Sequence, residues 1–367
     1  LRTGRFVAAD QNEVNLSEKK GFSMKAAITD GQGKVWVDDV PMPEANDYQC
    51  LCRMLACATC SGTDQKHIYN KLPWGQNYPG ILGHESIGEV VSVGSKVKNY
   101  REGDLVLRPT CVYPGERLGG YTSLWGGFAE YGLCTDAAAM RKDDPDGQPN
   151  NYTRFQQVVP SDLPISAGDA TMLITVKECA SYVSSAGISL YSSLALLGSG
   201  SVSYSMCRFA KVFGAYPVIM VGRRDEPLNY AKERIGADFV VNVQRENLTE
   251  RIQELTRGRG VDRLIDTTGD AVFMKECLPA LSEKGKAAAY ATYSSSDAIK
   301  NAIPDDKLTT GATGEDAAHQ YLLDAVRLGL VNLSNFYSHN MPLDKIAEGF
   351  ALLKSKDAFK IVFEIGE

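Results

Sequence analysis

The segment Leu194-Ala-Leu-Leu-Gly198-Ser-Gly200-Ser-Val202-Ser203 runs from an apolar stretch through Gly-x-Gly into a helical pattern. The chemistry at such a junction is done by main chain. Gly198 permits a tight turn and Gly200 lets the backbone approach a pyrophosphate, while the first amides of the helix, at Val202 and Ser203, present partial positive charge to it. A third glycine of the usual pattern is replaced by Ser203. Gly-x-Gly alone also fits a plain turn; its place at the first strand–helix junction of an alternating series predicts a nucleotide site. The next apolar run, Pro217–Val221, ends in Gly222-Arg223-Arg224 where an NAD-preferring fold places an acid on the ribose. With glycine there and two guanidiniums beside it, the expected cofactor is NADP(H), NAD(H) remaining possible. A solvated basic turn flanked by Asp225 and Glu226 is the alternative.

The elements needed to hold that turn are visible in the patterning. From Lys25 to about Cys134, short β-rich runs broken by Gly, Pro, Asn and Asp (Val35–Val40, Gln49–Cys57, Ser86–Val93, Asp104–Leu107, Phe128–Leu133) predict a barrel-like β domain. Arg141–Tyr152 is polar and rich in turn formers, which predicts an exposed insertion without chemistry. After about Thr175, strands and helices alternate: Leu194–Leu197, Val202–Phe213, Pro217–Val221, Pro227–Ile235, Phe239–Val241, Arg263–Asp266 and Ala287–Tyr290. That alternation predicts a parallel sheet of βαβ units. The tail, with a helix over Leu343–Lys354 and a strand over Lys360–Ile365, is expected to pair back onto the first domain. The implied division is a peripheral extension at 1–23, a first catalytic part at 24–175, a dinucleotide domain at 176–312 and a catalytic return at 313–367.

A chain of 367 residues is long enough for two cores. Its net charge of −6 supplies no basic field, so nucleic acid and anionic membranes are not expected partners. No run has the length and apolarity of a membrane span, and the first residues lack a signal-peptide pattern. Nine cysteines, an odd and scattered set, do not suggest a secreted disulfide framework; a cytoplasmic location is expected.

Cys60-Ser-Gly-Thr-Asp64, Gly83-His84-Glu85 followed by Gly88-Glu-Val-Val-Ser-Val-Gly94, Gly103-Asp104-Leu-Val and Gly126-Gly-Phe-Ala-Glu-Tyr131 resemble the zinc-dependent medium-chain dehydrogenase/reductase family. The resemblance runs from Met24 to Glu367 and includes Gly260-Val-Asp-Arg-Leu-Ile-Asp-Thr-Thr-Gly269. It implies an α/β protein: a GroES-like, β-rich catalytic domain beside a Rossmann domain with a doubly wound parallel sheet. It also implies one catalytic zinc in the cleft between them, polarising an alcohol oxygen. His84 and Glu85 match the family's Gly-His-Glu directly. The family's cysteine position falls on Ser61, with Cys60 one residue earlier, so the expected ligands are Cys60, His84 and Glu85, with a weak serine site as the alternative. The family's further ligand aligns with Ile174, and Glu178 lies one helical turn beyond. Thr63 matches the hydroxyl that starts a proton relay, and the relay base falls to Lys66 or His67. Only Cys111 remains where the family's structural zinc needs four cysteines, so no structural zinc is expected.

These features predict hydride transfer between NADP(H) and a small secondary alcohol, by analogy a polyol, sugar or cyclitol, in a homodimer or homotetramer. Tyr121–Trp125 and Ala287–Tyr293 fit either subunit contacts or pocket packing. The rivals are a zinc-independent reductase of an activated ketone or double bond, and a non-catalytic cofactor-binding sensor or structural subunit.

Overall fold

The computed structural model describes residues 23–72, 75–293, 295–312 and 314–366. Apart from Ser23, which opens the first strand, the expected leading extension lies outside the described residues.

Two sheets form the β-rich part. In one, Ser23–Thr29 pairs with Val35–Pro41 and with Gly80–Ile81. The other is centred on Gln49–Ala58, which pairs antiparallel with Glu85–Val93, Tyr131–Thr135 and the late strand Ile361–Glu364. Register is what matters here. Ala58 lies opposite both Glu85 and Val362, so the chain just beyond Ala58, the start of the Glu85 strand and the start of the last strand meet at one sheet end.

The parallel sheet has the order Phe239–Asn242, Val218–Gly222, Leu194–Leu197, Val261–Asp266, Leu281–Ala289. Its central strand, Leu-Ala-Leu-Leu, is buried at every position, as a strand covered by helices on both faces requires. The strands all run in one direction, but their order of addition reverses at that strand, which opens a crevice at its carboxyl end.

The helix Ala167–Ser185 runs through the expected boundary at 175 and has buried residues almost all round. It belongs to one apolar cluster that holds Ala56 and Ile87 from the β-rich part and Leu196 and Met206 from the parallel part. A helix buried on all sides serves both cores at once.

Two expectations need correction. The strand expected over Phe128–Leu133 spans Tyr131–Thr135, because Phe128 leaves the ladder to fill the core against Phe350 and Phe363. The segment Arg141–Tyr152 is not simply exposed: Asp136 caps a helix over Ala137–Asp143, and the segment's end turns inward, burying Tyr152.

Candidate active site

The converging strand ends build the first half of the site. Cys60 is the N-cap of the helix Ser61–Ile68, and its backbone amide donates to the Asp64 carboxylate at 2.8 Å. Cys60 and Ser61 both line the cleft, and their side chains make different contacts. The Ser61 hydroxyl donates to the Phe359 carbonyl at 3.2 Å, while the Cys60 thiol lies 3.5 Å from Thr63 Oγ1. Gly83, with φ of +103°, turns the chain into His84 and Glu85; a Cβ at Gly83 would lie 2.6 Å from Phe128.

Donor atoms of Cys60, His84 and Glu85 lie within 4.8 Å of one another. The chemistry of the set fits zinc: a thiol, an imidazole and a carboxylate. Two further observations agree. His84 Nδ1 and Asp64 Oδ1 are buried without a hydrogen-bond partner and face each other at 3.7 Å, which sets a carboxylate beside one imidazole nitrogen, as ligating histidines commonly have. Burial first, and then the Glu85 carboxylate, push the Cys60 thiol pKa up, so a thiolate there calls for a neighbouring cation.

Lys360 answers part of that demand. Its ammonium is buried, 2.5 Å from Glu85 and donating to Thr175 Oγ1 at 3.0 Å. Burial opposes its charge, and the surrounding Glu85, Cys60 and Asp64 together outweigh burial, so its pKa is raised. Burial likewise lifts Asp64 to about 7.

The relay candidates separate. Thr63 and Lys66 line the cleft, and Lys66 donates to the Thr292 carbonyl at 2.8 Å with its pKa lowered by burial. His67, next in sequence, is turned off the cleft: it is 1% exposed, edge-on to Trp125 with ring centroids 4.7 Å apart, and burial depresses its pKa to about 3. A helix places neighbours about 100° apart, so Lys66 and His67 cannot share one face. His67 is a neutral packed imidazole here rather than a cleft base.

Ile174, at the position of the family's further ligand, is in the apolar core. Glu178, a turn on, lines the cleft, and burial raises its pKa, yet it is not part of the three-residue donor cluster. Cys111 packs with Met24, Ile28 and Val112.

The second half of the site is the Gly198 turn. Gly198 has φ of +120°, and a Cβ there would lie 2.4 Å from Thr267 Oγ1. Gly200 is the N-cap of the helix Ser201–Val212, and a Cβ on it would meet nothing within 4 Å, so its backbone is open to a ligand. Ser203, in place of a third glycine, bonds Thr267 Oγ1 at 2.7 Å and ties the helix to the neighbouring strand end. Val202 lines the cleft beside it.

At the end of the second strand, Arg223 reaches Asp270 at 3.4 Å and Arg224 donates to the Lys356 carbonyl at 3.1 Å. Both line the same cleft. Asp225, the nearest acid in sequence, is held by Asn242 and Arg245, each at 2.6 Å.

One cleft of about 830 Å³ joins the two halves and is walled also by Arg108, Trp125, Tyr152 and Tyr290. Trp125 and Tyr290 therefore belong to the pocket, and Tyr293 is buried with its hydroxyl on Asp266 at 2.6 Å. The sequence reading missed Lys360 and Arg108, whose charged partners lie far along the chain, and Tyr152, which sits at the end of a polar segment. Asp64 was visible within its motif.

The family models for the alcohol dehydrogenase GroES-like domain and for zinc-binding dehydrogenase match residues 46–144 and 202–312. Sorbitol dehydrogenase of Bacillus subtilis is 29% identical, covering 72% of this chain and 74% of its own. L-threonine 3-dehydrogenase of Pyrococcus abyssi is 28% identical over 95% of this chain and 99% of its own. Among solved structures, the alcohol dehydrogenase TADH from Thermus sp. ATN1 superposes with a TM-score of 0.75 at 20% identity, covering 94% of this chain and 100% of that one. Among the described residues no helix is long and apolar enough to cross a membrane.

Proposed function

This chain belongs to the zinc-dependent medium-chain dehydrogenase/reductase family and is an NAD(P)-dependent dehydrogenase, and from that premise we propose that it exchanges a hydride between NADP(H) and the carbinol carbon of a secondary alcohol. The observation that carries this reading is the single cleft with a Cys60, His84 and Glu85 donor cluster at one wall and the Gly198 turn at the other. When bound, zinc supplies Lewis acidity to an alcohol oxygen and the nicotinamide accepts the hydride.

The chain's own residues do the rest. Cys60, His84 and Glu85 would hold the metal, with Asp64 beside His84 to orient its ring as the site closes on the ion. Thr63 and Lys66, three apart on one helix face, accept the substrate hydroxyl's proton and pass it outward; the lowered pKa of Lys66 favours its role as base. Gly198, Gly200, Val202 and Ser203 seat the pyrophosphate. Arg223 and Arg224 fork onto a 2′-phosphate, since Gly222 offers no acid and Asp225 is already committed.

A polyol, sugar or cyclitol substrate is supported by the sorbitol dehydrogenase likeness and by polar groups from Glu178, Tyr152 and Arg108 in the wall. The free state of all nine cysteines supports a reducing, cytoplasmic setting, and a homodimer or homotetramer is the assembly proposed. A division near 24–175, 176–312 and 313–367 is supported by the return of Ile361–Glu364 to the first sheet.

The Glu85–Lys360 ion pair and the core placement of Ile174 favour a second reading, a zinc-independent reductase. Turnover of a polyol panel with NADP and with NAD, with and without a strong chelator, tests both. Chelator-sensitive, NADP-preferring oxidation of secondary alcohols is expected; chelator-insensitive reduction of an activated ketone or double bond supports the second reading.

A further inference from the structure

Arg108 follows the strand Leu105–Leu107 and adopts φ of +57°, a left-handed conformation that a non-glycine residue takes only when its surroundings enforce it. Those surroundings are specific. Its amide donates to the Ser86 carbonyl at 2.8 Å, and its own carbonyl accepts from the Gln156 side chain at 3.1 Å. The residue is 7% exposed and its guanidinium lies 5.2 Å from the Phe155 ring centroid and 6.0 Å from that of Tyr152.

Held in this way, Arg108 makes two kinds of bond. One terminal nitrogen donates to the main-chain carbonyl of His84 at 2.7 Å. The other, with Nε, forms a fork onto Glu315 at 2.7 and 3.1 Å. Glu315 lies 207 residues away in sequence, and buried Lys177 stands 3.7 Å from it, itself bonded to Gln157 at 2.6 Å. Burial leaves Lys177 with a pKa lowered to about 8.

We infer that Arg108, oriented by Glu315, is a positioning residue for the metal centre: it fixes the main chain at His84 and so the direction in which the imidazole points. The inference rests on the metal reading of Cys60, His84 and Glu85. Its physical basis is that a planar guanidinium delivers a fork onto Glu315 and a further N–H to the His84 carbonyl in fixed directions, which lysine cannot reproduce. Outer partners that orient metal ligands typically change metal affinity ~10–100-fold when removed. Nothing local in the sequence announces the pair, because its members are brought together only by the packing of the 315 segment over the β-rich part.

The test uses the full chain with Glu315→Gln and, as a second variant, Arg108→Lys. Zinc affinity is read by competition with a chromogenic chelator, ligand geometry by the visible spectrum of the cobalt-substituted protein, and folding by thermal melting. The expected result is zinc affinity reduced ~10-fold or more and a shifted cobalt spectrum in both variants, with melting still cooperative. Variants that melt earlier yet keep wild-type zinc affinity and cobalt spectrum overturn the inference and leave the metal reading standing. If Glu315→Gln does not fold, Arg108→Lys decides by the same two readings. A wild-type chain that takes up neither metal overturns both the inference and the reading beneath it.

Discussion

At the end of the Leu194–Leu197 strand the site is made of main chain: a glycine at φ of +120°, an open Gly200 and the amides of a helix start. At the end of the Gln49–Ala58 strand it is made of side chains, with Cys60, His84, Glu85 and Lys360 arriving from three separate strand ends. The two halves therefore answer differently to substitution. A main-chain site tolerates changes of side chain but not of backbone conformation; a side-chain site depends on the identity and register of each donor.

Replacing Cys60 by Ala should have the largest effect. Loss of a zinc ligand is expected to lower kcat/KM by at least ~10²-fold, read in steady-state kinetics. Ser61→Ala, one residue on, should keep nearly full activity, because its hydroxyl bonds the Phe359 carbonyl. Equal losses in the two variants would break the account of register.

Next in size is Gly198→Ala, which forces a side chain into a left-handed turn and toward Thr267. It should weaken cofactor binding by ~10–100-fold in titrations followed by nucleotide fluorescence. Zinc content should not change, which separates the two halves. Arg223→Ala combined with Arg224→Ala should raise the KM for NADP by ~10-fold and leave that for NAD nearly constant. An equal effect on both nucleotides would mean that the arginines do not read the 2′-phosphate.

The smallest expected effect concerns acid. Burial depresses His319 to about 4, and its Nε2 bonds the Val158 carbonyl at 2.9 Å. The unfolded chain binds a proton near pH ~6.5 that the folded chain refuses, so this contribution to stability is present above that pH and is lost as pH falls toward 4. His67, depressed to about 3, acts in the same direction. Melting temperature should fall across this window, less steeply in His319→Gln.

The parallel sheet was legible in sequence because its strands are continuous apolar runs and its turn uses glycine where side chains do not fit. Motifs such as Gly83-His84-Glu85 likewise marked the donor cluster, because the needed residues are adjacent in the chain. The shifted cysteine was harder. Spacing leaves Cys60 and Ser61 both open, and what favours Cys60 is the bond of the Ser61 hydroxyl to the Phe359 carbonyl, a partner 298 residues from Ser61. Lys66 and His67 were equally open until the helix turned one into the cleft and the other under Trp125. Tyr152 was hidden by its polar, turn-rich neighbours, whose composition speaks for the exposed part of that segment and not for its buried end.

The central claim is that Cys60, not Ser61, completes a metal site with His84. Zinc per chain, measured by elemental analysis on protein purified without added metal, tests it most directly. The account predicts close to one zinc in the wild type and in Ser61→Ala, and almost none in Cys60→Ala; a wild-type protein free of zinc, or a Cys60→Ala variant that retains it, would contradict the account.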